Sequence, residues 1–200
     1  MKKIIIAACM MLVTAMSYAQ SGTNSPYSQF GLGLLNDQST GFNRAMSGLG
    51  YGFREHNQVD VKNPASYSAL DSLTFLLDAA VGLQVTNFNE NGKKKNAKNA
   101  DIEYAVAAFR VARHLGLSFG ILPYSNVGYS YSNTANVNAF QNTQGVNATY
   151  TNTYAGDGGV HEVFLGMGWE PIRHFSIGFN AGYLWGEINR TVINSYSDSY

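Results

Sequence analysis

Charge is scarce in this 200-residue chain. Only 13% of residues are charged, thirteen acidic against thirteen basic, for a formal net charge of zero. That is about half the usual share of roughly 25%. It excludes a disordered acidic or basic tail, a coiled coil, and a nucleic-acid-binding domain that works by charge, so no nucleic-acid partner is expected. Proline is rare, at four, and there is a single cysteine, Cys9. The surplus of Ala, Glu, Leu and Lys that marks a helical bundle is also missing. Past the N-terminal segment no stretch approaches 18 consecutive apolar residues, so a membrane crossing would have to be made by strands. What is plentiful is Gly (21), Tyr (13) and Phe (11), together with Asn, Ser and Thr. That is the composition of an all-β protein.

The first 19 residues read as a Sec signal peptide. Lys2 and Lys3 form a positive start, residues 4–16 are apolar, and Ser17-Tyr18-Ala19 has small residues at both recognition positions for cleavage. The apolar run is too short for a transmembrane helix. Ile6-Ala7-Ala8-Cys9 resembles a lipoprotein box only superficially, because the apolar run continues beyond Cys9. Cleavage after Ala19 removes Cys9, Lys2 and Lys3. The exported chain then has no disulfide and a net charge of −2.

From Leu73 onward the hydrophobic period is two. Leu73, Phe75, Leu77, Ala79, Val81, Leu83 and Val85 share one face. Ile102, Tyr104, Val106 and Ala108 form the next such face, then Leu115, Leu117, Phe119 and Ile121. Val163, Leu165, Met167 and Trp169 follow, and finally Phe175, Ile177, Phe179, Ala181, Tyr183 and Trp185. Five strands result, each with an apolar face backed by a small or polar one. The second face carries Gly, Ser, Ala, Asn and Thr instead of the Lys and Glu that coat a soluble sheet, and aromatics fall near strand ends. Both features suit a transmembrane β-barrel with a polar interior. Connections alternate: 87–99 long and polar, 112–114 short, 123–157 very long, 170–174 short. Short turns are expected on the periplasmic side. Residues 191–200 show no recognisable final strand. Five to six strands are fewer than the eight of the smallest barrels, so the reading is a fragment of a longer barrel or one that closes by oligomerising.

Residues 20–71 do not alternate. Phe30-Gly31-Leu32-Gly33-Leu34-Leu35 and Arg44-Ala45-Met46-Ser47-Gly48 read as irregular or short helical structure. This weakly charged segment is expected to plug the barrel formed by residues 72–200. Asn63-Pro64-Ala65 is expected to be a rigid turn and the plug's hinge, because Pro64 fixes its own φ and restricts Asn63.

Ser39-Thr40-Gly41-Phe42-Asn43-Arg44-Ala45-Met46-Ser47-Gly48, then Asn63-Pro64-Ala65, then Asp71 and Leu73-Thr74-Phe75, resembles FadL-type outer-membrane transporters. Pro123-Tyr124-Ser125 and Val127-Gly128-Tyr129 add to the likeness. Ser25-Pro26-Tyr27-Ser28-Gln29-Phe30-Gly31 resembles Bacteroidetes-type members. The resemblance implies a hatch-plugged barrel in the Gram-negative outer membrane that takes up long-chain fatty acids or aromatic hydrocarbons. On that reading Val137, Phe140, Tyr150 and Tyr154, with Val146, line a loop groove. Phe30, Leu32, Leu34 and Leu35 line the hatch pocket, and Arg44 meets a ligand carboxylate or else Asp60. Partners would be outer-membrane lipid, lipopolysaccharide, hydrophobic small molecules and the barrel-assembly machinery. Two other functions stay open: a protein-binding component of a secretion machinery, and a structural or adhesive barrel.

No catalytic constellation is present, so no enzyme and no cofactor is expected. His56, His114, His161 and His174 are scattered, without metal-ligand spacing. Gly31-Leu32-Gly33 lacks the third glycine of a nucleotide loop and a preceding strand. Asn87, Asn89 and Asn91 mimic the start of a calcium loop, but Lys98 stands where its glutamate belongs, and Lys93, Lys94 and Lys95 would repel the cation.

Overall fold

The computed structural model describes residues 23–90, 93–136 and 148–198. Residues 1–22, which include the expected signal peptide, and Val137, Phe140 and Val146 lie outside the described residues. Two short 3-10 helices, Pro26–Gln29 and Pro64–Ala69, flank a two-residue strand β1 (Leu34–Leu35) and a short helix α1 (Gly41–Ala45). Five long strands follow: β2 (Phe75–Glu90), β3 (Lys93–Ala112), β4 (Leu115–Asn136), β5 (Ala148–Ile172) and β6 (Phe175–Asp198). They form one antiparallel sheet in sequence order, with β1 added to β4. Among the described residues no strand pairs β2 with β6, so the sheet does not close into a barrel. No described helix is long and apolar enough to cross a membrane.

The strands run further than the alternation predicts. In the polar stretch 87–99, expected as a loop, the described residues continue strands β2 and β3, with Asn87 opposite Asn96 and Asn89 opposite Lys94. In the stretch 123–157 the described residues are the upper halves of β4 and β5, paired from Pro123–His161 up to Asn136–Thr149. Residues 191–198 belong to β6, with Val192 opposite Tyr154. The first two stretches turn polar on both faces, and in the third the apolar Val192 and Ile193 fall on opposite faces, which removes the alternation signal. Backbone pairing with an ordered neighbour still holds the strand.

On most of the sheet the side expected to be apolar faces outward. Phe75, Leu77, Val81, Leu83, Phe119, Leu165, Phe179 and Tyr183 are all exposed. β3 departs from this. Ala80 pairs with Tyr104 but Val81 with Ile102, so Glu103 is an extra, bulged residue. The bulge flips the alternation. Ile102 points outward, while Tyr104, Val106 and Ala108 are buried on the inner side under the N-terminal segment. A single period-two face from Ile102 to Ala108 is therefore corrected to two half-faces.

Two tight turns close the other end. Residues 113–114 join β3 to β4, and residues 173–174 join β5 to β6. Each places a histidine in the left-handed region, His114 at φ 65° and His174 at φ 68°. Glu170 ties the two turns together. Its carboxylate accepts the His174 backbone N–H at 3.0 Å, and its own N–H donates to the His114 carbonyl at 2.9 Å.

Candidate functional site

The inner face of the sheet carries the N-terminal segment, which is held at three levels. At the turn end, Gly116, Gly168 and Gly178 stand in register across β4, β5 and β6. The Pro64–Ala69 helix lies directly on this row. A Cβ at Gly116 would sit 1.9 Å from the Tyr67 carbonyl oxygen, at Gly168 2.4 Å from that of Pro64, and at Gly178 2.4 Å from the Ala65 nitrogen. Only glycine permits this approach. By alternation alone these residues read as the small lining of a polar lumen. In the fold they seat a helix, and the one sequence signal is their shared position in successive strands. Above the row, Tyr67 is fully buried. Its hydroxyl donates to Asn180 Oδ1 at 3.2 Å, and Asn180 Nδ2 donates to the Val61 carbonyl at 2.8 Å. Burial pushes the Tyr67 hydroxyl well above its ordinary pKa.

Asn63-Pro64-Ala65 sits at the start of that helix. Asn63 is the N-cap and Pro64 the first helical residue, where a missing N–H costs nothing. The Asn63 side chain does not cap the helix. It donates to the Phe53 carbonyl at 2.7 Å, tying the turn to the preceding loop.

At the middle level α1 latches onto β3. Gly41 leaves room for the Tyr104 hydroxyl, and Gly48, at φ 81°, turns the chain back after α1. Arg44 donates to Glu103 at 2.8 Å and to the Ser39 carbonyl at 2.9 Å, and its guanidinium lies 5.4 Å from the Tyr104 ring centroid. The partner of Arg44 is thus the bulged Glu103, not Asp60. Asp60 is buried beside Asn43, and desolvation raises its pKa. For Asp37, burial pushes upward, but hydrogen bonds from Lys62 and Ser39 and the Lys62 charge prevail, and the pKa is lowered.

At the third level β3 and β4 part company. Their ladder spans only Ala105–Ile121 to Ala112–Leu115, although both strands continue far beyond. Residues of the N-terminal segment lie along β4 above the split. The Asn36 N–H donates to the Tyr124 carbonyl at 3.0 Å. Leu35 stands opposite Ser125 and Leu34 opposite Asn126. The Ser28 hydroxyl accepts from the Gly128 N–H at 3.1 Å, and the Tyr131 hydroxyl donates to Gln29 Oε1 at 2.6 Å.

The expected ligand residues are not gathered into one apolar pocket. Phe30, Leu32 and Leu35 are exposed, and Leu34 and Leu35 are the strand β1 itself. Leu35 also borders a cavity of about 450 Å³ between segment and sheet, but its other walls include Asp37, Lys62, Tyr124, Glu162 and Asn180. These polar groups are occupied with one another: Lys62 pairs with Asp37, and Gln38 donates to Glu162. Tyr150 and Tyr154 are half-buried residues of β5 rather than loop residues. The Tyr154 ring stacks on Tyr131 at 5.2 Å.

The family model described as BamG matches residues 1–199, so the chain belongs to the BamG family, a component of the barrel-assembly (BAM) complex. That membership implies association with the barrel-assembly machinery and with the outer membrane. No curated protein and no solved structure matches the chain. The FadL assignment is thereby corrected, and uptake of fatty acids or aromatic hydrocarbons falls with it. The family points to outer-membrane protein assembly instead. The stretch from Gly41 through Arg44 to Gly48 and the Asn63-Pro64-Ala65 turn are devices for fastening an irregular segment to a sheet. They serve that purpose whatever the function, so they do not identify it.

Proposed function

We propose that this protein is a non-enzymatic component of the machinery that assembles outer-membrane proteins, exported by a signal peptide over residues 1–19. Residues 20–71 form its plug, and residues 72–200 cross the outer membrane as strands. The observation that carries the reading is the family match over residues 1–199. The exposed apolar side of β2 to β6 supports a lipid-facing wall: Phe75, Leu77, Phe119, Leu165, Trp169, Phe175, Phe179 and Trp185 share it. The polar contacts of the N-terminal segment on the other side support a scaffold, because Arg44 to Glu103, Lys62 to Asp37 and Gln38 to Glu162 tie the segment to the sheet and to itself.

The test is depletion of the protein in its own host. We expect heat-modifiable barrel proteins to fall several-fold in the outer membrane, and the tagged protein to bring down the assembly machinery from detergent extracts. Normal barrel levels together with no co-purifying machinery would overturn the reading.

A further inference from the structure

We propose that the split between β3 and β4 is a docking site for an extended polypeptide strand, and that residues 28–36 are its resident occupant. This rests on the assembly reading above and names the kind of partner the site takes: a β-prone segment of an unfolded outer-membrane protein.

β4 keeps its ladder to β5 as far as Asn136, but its described ladder to β3 stops at Ile121. A strand edge with unpaired amides and carbonyls is a template for another strand. Here the template is already in use, because β1 adds to it antiparallel at Ser125 and Asn126, and Asn36 and Ser28 extend the contact to Tyr124 and Gly128. The edge therefore accepts an added chain.

The hold on that chain is slight. β1 is two residues long, and Leu34, Leu35, Leu32 and Phe30 are exposed. Gly31 and Gly33 sit at φ 56° and 93°, so only glycines let the segment follow the edge. The remaining ties are side-chain hydrogen bonds, such as Tyr131 to Gln29. The Pro64–Ala69 helix, by contrast, is seated on a glycine row and covered by buried Tyr67. A segment whose own apolar side chains are exposed, and which packs on β4 only where Gly33 lies over buried Val127, is the one that exchanges.

The chemistry of the two lips differs. Residues 128–134 of β4 are Gly, Tyr, Ser, Tyr, Ser, Asn and Thr, with no charge and no proline. Those are the usual devices that block edge pairing. Above half-buried Asp101, the upper end of β3 carries exposed Lys94 and Lys98, which favour acidic side chains on the incoming strand. Main-chain pairing to β4 supplies affinity, and the lysines bias the choice of segment.

The test uses the protein in its purified complex, with an unfolded, labelled outer-membrane barrel polypeptide as probe. A photocrosslinking residue is placed at Ser132 on the open edge, and separately at Asn152, one register step away on β5 between two paired strands. We expect at least tenfold more adduct at Ser132. A second variant, Leu35→Cys with Ser125→Cys, joins a directly opposed pair in a chain whose only native cysteine is Cys9. Oxidation should cut the Ser132 adduct several-fold, and reductant should restore it. Equal adducts at Ser132 and Asn152 would overturn the proposal, and so would an adduct indifferent to oxidation. The assembly reading fails separately, through lack of co-purification and of a depletion phenotype. A complex that co-purifies yet gives no Ser132 adduct sinks the docking site alone.

Discussion

The two ends of the N-terminal segment are fastened in opposite ways. At the turn end, three wall glycines in register let the Pro64–Ala69 helix approach backbone to backbone, and Tyr67 is buried above them. At the split end, residues 28–36 run along β4 through a two-residue ladder and side-chain hydrogen bonds, with their apolar side chains exposed. Close packing excludes water and adds dispersion contacts over a whole helix. An edge contact trades protein hydrogen bonds for water hydrogen bonds at little net gain. The first arrangement makes an anchor and the second a latch.

The largest effect should come from emptying the anchor. Tyr67→Ala removes a fully buried ring, and about 3–5 kcal/mol of stability should go with it. A urea titration that follows release of the segment to protease will read this, and a change below about 1 kcal/mol would erase the distinction between the ends. Gly178→Ala tests the seat from the wall side. Its Cβ would meet the Ala65 nitrogen at 2.4 Å, and overpacking of this kind costs about 1–3 kcal/mol. The same assay should show the segment loosened with the sheet intact. Ser28→Ala, at the latch, leaves the buried Gly128 N–H without its acceptor and should cost about 1 kcal/mol. Faster hydrogen exchange at Gly128, with a fall in the urea midpoint smaller than that of Tyr67→Ala, is the expected outcome.

The smallest effect is a slope against pH, set by Asp60 between the two ends. Its folded pKa is raised by burial above the ordinary value of 3.8. Folding is therefore favoured while the group is protonated, and that contribution is lost as pH rises through the folded pKa. Asp37 has the opposite sign. Its pKa is lowered, so its contribution holds above the unfolded value and is lost as pH falls through the folded one. Asp60→Asn should flatten the decline in stability above pH 3.8 and leave the acid limb due to Asp37 in place. Urea midpoints taken from acid to neutral pH will separate the two, and parallel curves for both proteins would refute the assignment.

Much of the wall is legible in the sequence. The alternation at Leu73 to Val85, Leu115 to Ile121 and Phe175 to Trp185 marks strands because each gathers its apolar side chains on one face, and a period of two follows from the pleat. Where both faces are polar, as at Asn87 and Tyr150, the pattern is silent, and strands there look like loops. The bulge at Glu103 escapes for a related reason, since one extra residue reverses the faces without changing the composition. Of the candidate site, Arg44 and Asn63-Pro64-Ala65 stand out as motifs in the sequence, but their partners do not. Glu103 lies far along the chain and Phe53 in irregular structure. The same motifs point to the wrong family, because fastening a segment to a sheet is common to different tasks.

Composition and local pattern determined, by themselves, that this chain makes long antiparallel strands with one apolar side and carries an irregular segment ahead of them. Those properties follow from side-chain burial and backbone sterics over a few neighbouring residues. Tertiary structure alone decided that Gly116, Gly168 and Gly178 form a seat, that Glu103 turns inward to Arg44, and that β3 and β4 separate where residues 28–36 lie against β4. Each of these depends on register between segments far apart in the chain, and register is a property of the assembled sheet, not of any one strand.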